Sequence, residues 1–118
     1  MTTQEVADKF YELTQSNQWD KIQDELYSDD AESIEPSNSQ MMQNVKGRDA
    51  LKQKAVQFNN SVEEMHGGYC SKPVVGGNFF SVGMGIDATY KGMGRMNMDE
   101  VAVYEVKDGK IVKEQFFF

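Results

Sequence analysis

The sequence predicts an α+β fold in which three helices pack on a bent antiparallel sheet. Residues 1–62 space their apolar side chains as helices do, whereas residues 63–118 contain β-rich runs. Asp108-Gly109 stands between two such runs, as a tight type I′ hairpin turn prefers. Helices followed by strands are typical of domains whose helices cover one face of an antiparallel sheet.

Each of the three predicted helices has a start signal and an apolar stripe. The first begins with the capping-box pair Thr2 and Glu5, and the second follows Asn17, which can cap it. The third begins after Gly47, beyond a polar loop over residues 36–46. The stripes are Val6, Phe10 and Leu13; Trp19, Ile22 and Leu26; and Leu51, Ala55, Phe58 and Val62.

Five strands are predicted. The first is short, over residues 31–35, because Ser28-Asp29-Asp30 ends the helix before it and Pro36 stops the strand. Turn residues, among them Gly76-Gly77 and Lys91-Gly92, separate the later strands. Those four strands cover residues 63–72, 79–90, 95–107 and 111–118.

Length and composition predict one domain over residues 1–118, since 118 residues with 39% apolar content can build one core. The net charge of −7 argues against a nucleic-acid partner, because phosphate binding needs basic clusters. Apolar runs are too short to cross a bilayer, and the N-terminus resembles no secretory signal. With Cys70 as the single cysteine, we expect a cytoplasmic protein that binds no membrane.

Several short motifs together resemble a known family. They cover residues 17–20 (Asn-Gln-Trp-Asp), 26–31 (Leu-Tyr-Ser-Asp-Asp-Ala), 35–36 (Glu-Pro), 46–51 (Lys-Gly-Arg-Asp-Ala-Leu) and 108–112 (Asp-Gly-Lys-Ile-Val). Their order and spacing resemble the SnoaL-like branch of the NTF2-like superfamily over nearly the whole chain. The resemblance implies a cone in which the helices and a strongly bent sheet enclose a pocket. It also implies a homodimer formed through the outer face of the sheet.

The resemblance to the ketosteroid isomerase branch implies catalytic residues. Tyr11 matches the tyrosine of the first helix that donates a hydrogen bond to a developing oxyanion. Glu35, directly before Pro36, matches the carboxylate that moves the proton, although the branch usually has Asp there. Burial in an apolar cavity raises the pKa of a carboxylate and makes it a better base. The tyrosine hydroxyl would stabilise charge that develops in the transition state.

The same branch has a third acid on a late strand. Its position falls near Val101 or Ala102, so the nearest acids here are Asp99 and Glu100. Alternate residues of a strand face opposite sides of the sheet, and only one of the two acids can face the cavity. We favour Glu100, because it shares its face with Ala102, Tyr104 and Val106.

His66 and a group of methionines suggest further roles. His66, the only histidine, either pairs with Asp87 as an acid/base device or is an ordinary hydrogen-bonded surface histidine. The middle strands carry Met84, Met93, Met96 and Met98, which either form an adaptable ligand wall or only fill a bent sheet. Metal-ligand spacings and cofactor fingerprints are missing, so we predict neither a metal nor a cofactor.

Three functions stay open from the sequence. The first is a cofactor-independent isomerase or cyclase that acts by proton transfer on a small carbonyl compound. The second is a pocket that binds a small apolar ligand without converting it. The third is a dimeric interaction module whose surface, rather than its cavity, is functional. Fold resemblance does not decide between them, because this superfamily hosts diverse functions.

Overall fold

The computed structural model describes residues 1–39 and 42–118, so Gln40 and Met41 of the predicted loop lie outside the described residues. The predicted α+β class is confirmed: three helices lie on a curved, open sheet. The helices are α1 (Thr3–Gln15), α2 (Trp19–Leu26) and α3 (Arg48–Ser61). The strands are β1 (Tyr27–Ile34), β2 (Val45–Lys46), β3 (Val62–Cys70), β4 (Val74–Gly76), β5 (Phe79–Tyr90), β6 (Gly94–Lys107) and β7 (Lys110–Phe117).

The sheet is mixed rather than purely antiparallel. Its strands lie in the order β2-β1-β7-β6-β5-β3, with β4 also paired to β5. β1 and β7 run parallel, and every other strand pair among the described residues is antiparallel. The parallel pair matters for the site, because it places Ser33 directly beside Glu114.

The ends of α1 and α2 show where local signals succeed and fail. At α1 the capping box is present, with the Thr2 hydroxyl accepting from the Glu5 amide and the Glu5 carboxylate accepting from the Thr2 amide. The predicted Asn17 cap of α2 is wrong. Asn17 instead has a left-handed φ of 60°, a conformation that asparagine tolerates, and Gln18 precedes the helix without a side-chain cap.

β1 begins four residues earlier than predicted, at Tyr27. Ser28-Asp29-Asp30 was expected to be a break between elements, but these residues continue the strand, with both aspartates exposed to solvent. The buried Tyr27 side chain explains the early start, because its hydroxyl bonds the Glu114 carboxylate on β7. A shift in the β1–β7 register between Tyr27 and Glu32 accommodates the intervening residues.

The helices cover the inner face of the sheet. The inner face packs against the helices, and its side chains on β5 and β6 are buried over much of their length, including Phe80, Val82, Ala102, Tyr104 and Val106. α3 covers one part of this face, where the Phe58 ring meets Tyr90 edge-on. The predicted hairpin is present, with φ of 52° at Asp108 and 75° at Gly109.

Candidate functional site

Four ionisable side chains gather on the inner side of the fold: Glu35, Lys54, Glu100 and Glu114. They come from four places in the chain, namely the end of β1, the middle of α3, β6 and β7. Antiparallel pairing sets Glu100 opposite Met84, and Glu114 lies opposite Tyr104. The two acids on β6 and β7 thus lie beside the buried side chains of Met84 and Tyr104.

Lys54 is the centre of this group. Its Nζ lies 3.1 Å from Glu35 Oε1 and donates a hydrogen bond of 2.8 Å to Ser33 Oγ. The side chains of Lys54 and Glu35 are only 10% and 9% exposed, so the ion pair is largely shielded from water. The Lys54 ammonium also lies 5.6 Å from the centre of the Phe116 ring, within cation–π range.

Glu114 is buried and fully bonded. Ser33 Oγ donates to its Oε2 at 2.5 Å, and the Tyr27 hydroxyl bonds its Oε1. Burial raises the pKa of Glu114, while the two hydroxyls and the nearby Lys54 charge oppose that rise. Ser33 therefore links Lys54 to Glu114, because it accepts from the ammonium and donates to the carboxyl group.

Glu100, like Glu35, is partly buried, but it forms neither a hydrogen bond nor an ion pair with the residues that the structure describes. Burial, followed by the charges of Glu35 and Glu114, raises its pKa from 4.5 to about 7, and Lys54 opposes the rise. Its neighbour Asp99 lies on the outer face, where it accepts a 2.9 Å hydrogen bond from the Tyr69 hydroxyl. Of the two candidate acids, Glu100 is thus the one on the inner side.

Tyr11 stands apart from the network. It lies half-buried on α1, and its backbone carbonyl accepts a hydrogen bond of 2.8 Å from Thr14 Oγ1. Its hydroxyl forms no hydrogen bond with any residue in 1–39 or 42–118. The structure therefore brings Glu35 and Glu100 into one charged group but leaves the Tyr11 hydroxyl outside it.

The possible His66–Asp87 pair is replaced by other contacts. His66 Nε2 lies 2.7 Å from Thr89 Oγ1, while both carboxylate oxygens of Asp87 accept from Arg95, at 3.1 and 2.9 Å. Arg95 lowers the pKa of Asp87 by these hydrogen bonds. Asp87 consequently serves an ion pair on the sheet surface.

Sequence reasoning missed Ser33, Lys54 and Glu114. A signal for Lys54 was present, because it follows Leu51 by three residues and precedes Phe58 by four, which places it in the apolar stripe of α3. Glu114 likewise alternates with Phe116 on a strand whose inner face is apolar. A charged residue at a core position of an amphipathic element indicates a buried partner.

A surface depression of about 400 Å³ lies at the start of α3, lined by Asp29 and residues 46–50. Arg48 Nη2 binds Asp29 Oδ1 there at 2.7 Å. Because Arg48 is already paired with the solvent-exposed Asp29, we take the inner group of charges, rather than this depression, as the candidate site. Within residues 1–39 and 42–118, neither a group of three or more metal-binding side chains nor a membrane-spanning helix was found.

The sequence profile of the SnoaL-like domain matches residues 1–118 of this chain. The chain belongs to the SnoaL-like family. Among solved structures, this SnoaL-like chain is similar to a Mesorhizobium loti protein named as a candidate SnoaL-like polyketide cyclase. The two share 35% identity over 100% of both chains, with a TM-score of 0.93. A search of curated proteins finds no match.

More distant structures show the fold alone. A Xanthomonas campestris protein with a cystatin-like fold has a TM-score of 0.80 at 16% identity, covering 99% of this chain and 90% of its own. A Catenulispora acidiphila protein with a ketosteroid isomerase-like fold, solved with trimethylamine, has a TM-score of 0.67 at 12% identity. That match covers 82% of this chain and 72% of its own. The match to the SnoaL-like family model and the similarity to the Mesorhizobium loti protein support membership in the NTF2-like superfamily.

Proposed function

We propose that this SnoaL-like protein is a cofactor-independent isomerase or cyclase that transfers a proton on a small carbonyl compound. The observation that carries the proposal is the placement of Glu100, a partly exposed carboxyl group on the inner face beside three other ionisable groups. A general acid/base works best when its pKa lies near the working pH. With a pKa of about 7, Glu100 both accepts and returns a proton near neutrality.

Glu35 and Glu100 have different roles in this proposal. The Glu35 carboxylate is bound to the Lys54 ammonium, so part of its capacity to accept a proton is already engaged. Glu100 accepts no hydrogen bond from the residues that the structure describes, and it remains available to a ligand. We therefore assign proton transfer to Glu100, whereas the family resemblance had suggested Glu35.

The similarity to the Mesorhizobium loti protein supports a cyclase among the candidate reactions, because that protein is named as a candidate polyketide cyclase. Removal of a proton beside a carbonyl group gives an enolate. The enolate either takes the proton back at another carbon, which is isomerisation, or attacks a second carbonyl group, which is cyclisation. Both outcomes need the same acid/base group.

The test is exchange of α-protons with solvent. Small ketones and 1,3-diketones are incubated with the protein in D₂O, and loss of the α-proton signal is followed by NMR. We expect Glu100→Gln to reduce the protein-dependent rate by 10²-fold or more, since general-base catalysis contributes about 10²–10⁴-fold. Asp99→Asn is the matched control, because it changes the adjacent acid on the outer face. Equal rates for Glu100→Gln and wild type would refute the assignment.

A ligand-binding role without turnover is the second candidate. Met84, Met96 and Met98 point towards the inner side of the sheet. The Tyr90 hydroxyl contacts Met98 Sδ at 3.7 Å. Such side chains adapt to a flat apolar ligand. This role predicts ligand-induced thermal stabilisation that persists in Glu100→Gln, without α-proton exchange.

We also propose that the chain forms a homodimer through the outer face of the sheet and acts in the cytoplasm. Val101 and Phe117 are cross-strand neighbours on this face and are 47% and 50% exposed. Tyr69 and Val74, on β3 and β4 at the other side of β5, are also exposed. Adjacent exposed apolar side chains are typical of association surfaces, and a second copy would bury them.

A further inference from the structure

We propose that Lys54 donates the hydrogen bond that stabilises the oxyanion formed when Glu100 removes a proton from a neutral carbonyl compound. This inference rests on the proposed function and adds two things to it. It identifies the electrophilic group, which the family resemblance had placed at Tyr11. It also identifies the charge class of the substrate.

The first support is the donor count at Lys54. An ammonium group has three N–H donors. Ser33 Oγ accepts one of them at 2.8 Å, and Glu35 Oε1 forms an ion pair with the ammonium at 3.1 Å. The third has no hydrogen-bond acceptor among the residues that the structure describes. A carbonyl oxygen of a ligand would satisfy it, and desolvation strengthens such a bond.

The second support is that the Lys54 and Glu100 side chains approach the same part of the inner face of the sheet. Lys54 projects from α3 towards the inner face and lies near Phe116 of β7. Phe116 is the cross-strand partner of Ala102 on β6, and Glu100 lies two residues from Ala102 on the same face of that strand. The Lys54 charge also opposes the rise in the pKa of Glu100. Enolisation needs a base and a hydrogen-bond donor that face the same region of the protein.

The third support is charge balance. In the proposed step the substrate C–H bond breaks, the proton forms an O–H bond on Glu100, and the electron pair moves into the enolate oxygen. Glu100 loses one negative charge as the substrate gains one, so the net charge of the interior stays constant. The negative charge moves from a carboxylate with no hydrogen-bond partner among the described residues to an oxygen bonded by Lys54.

Ser33, Glu114 and Tyr27 hold the ammonium in place. Lys54 bonds Ser33, Ser33 bonds Glu114, and Tyr27 bonds the other Glu114 oxygen. All three supporting side chains are buried, and they leave Lys54 little freedom to rotate. Fixed donors cost no reorganisation when charge develops, which is how such sites stabilise an oxyanion.

The same charges define the substrate class. Glu35, Glu100 and Glu114 face a single lysine, so a carboxylate or phosphate ligand would add negative charge to an acidic interior. Like charges at close range repel strongly when water is scarce. The substrate should therefore be a neutral ketone or 1,3-diketone with a removable α-proton.

The experiment uses 4-nitrophenol as an oxyanion probe, because its phenolate absorbs visible light. At pH 7 one proton is shared between the phenol and Glu100, so binding at Lys54 should enrich the bound phenolate. We expect Lys54→Met to weaken phenolate binding at least tenfold. Lys52→Met on the same helix, whose lysine pairs with Asp24 at the surface, should bind as wild type does. Tyr11→Phe should also bind within twofold of wild type.

A second variant guards against misfolding. Glu35→Gln/Lys54→Met removes both members of the ion pair, so no unpaired Glu35 charge stays buried. The inference is overturned if either folded Lys54 variant binds phenolate as wild type does. It is also overturned if Tyr11→Phe abolishes binding, or if wild type binds no phenolate.

The α-proton exchange assay separates this inference from the proposed function. Exchange that depends on Glu100 but proceeds at the wild-type rate in the Lys54 variants would overturn the role of Lys54 and leave proton transfer standing. Phenolate binding that depends on Lys54, without exchange of any ketone, would overturn proton transfer and leave Lys54 as an anion-binding donor.

Discussion

The pH dependence of stability offers a direct measurement on Glu100. Its folded pKa of about 7 lies above the value of 4.5 for an unburied glutamate. Below pH 4.5 the carboxyl group is protonated in both states and carries no penalty. Between pH 4.5 and 7 the unfolded chain ionises first, so the folded state loses stability as pH rises through this window. Glu100→Gln cannot ionise and should lack this loss.

The magnitude follows from the size of the shift. Each tenfold change in proton affinity corresponds to about 1.4 kcal/mol, which sets an upper limit of about 3 kcal/mol for Glu100. The carboxyl group is partly open to water, and solvent screening reduces the expected effect to about 1–2 kcal/mol. The free energy of unfolding of Glu100→Gln, relative to that of wild type, should therefore rise by about 1–2 kcal/mol between pH 5 and pH 8.

The assay is urea unfolding of wild type and Glu100→Gln at pH 5, 6, 7 and 8. Glu114 also has a raised pKa, and taking the difference between the two proteins removes most of its contribution. Asp99→Asn controls for a charge change at the adjacent position and should follow wild type. If wild type and Glu100→Gln lose stability in parallel across this range, Glu100 does not titrate near neutrality and the acid/base proposal loses its physical basis.

Three further predictions test the ion pair and the outer face of the sheet. Lys54→Met should lower the free energy of unfolding by about 3–5 kcal/mol in urea, because Glu35 loses its buried counter-charge; a loss below 1 kcal/mol would mean that water screens the pair. Val101→Lys should convert a dimer into a monomer in light scattering, and an unchanged mass would exclude this face as the interface. Gly85→Ala should destabilise by about 1–3 kcal/mol, because a Cβ would collide with the Tyr69 ring and with Asp99 Oδ1. Adding Tyr69→Ala should remove the part of that penalty that comes from the ring.

Much of the fold could be predicted because its signals are local. The Thr2 capping box and the Asp108-Gly109 turn depend only on neighbouring residues, and the structure contains both. β1 was harder, since Ser28-Asp29-Asp30 has the local chemistry of a turn. The residues on either side of them, Tyr27 and Glu32, pair with β7 more than 80 residues away, and no local pattern reveals that pairing.

The candidate site was only partly predictable for the same reason. Strand alternation placed Glu100 on the face of Ala102 and Tyr104, and both of these residues are buried. Lys54 was passed over because lysine is usually exposed, and its burial depends on Glu35 and Ser33 meeting it from another element. Sequence spacing can show that a charge occupies a core position, but only tertiary structure supplies the partner.

Lys54 also explains why similar acids would do different work. Glu35 and Glu114 are both tied to it, the first directly and the second through Ser33. Glu100 is tied to neither hydroxyl nor ammonium among the described residues, yet it experiences the charges of all three groups. Burial and the charges of the two engaged carboxylates raise the pKa of Glu100 to about 7, against the opposing charge of Lys54. The division of labour that we propose, with Glu100 as base and Lys54 as donor, follows from that arrangement more than from the identity of any single residue.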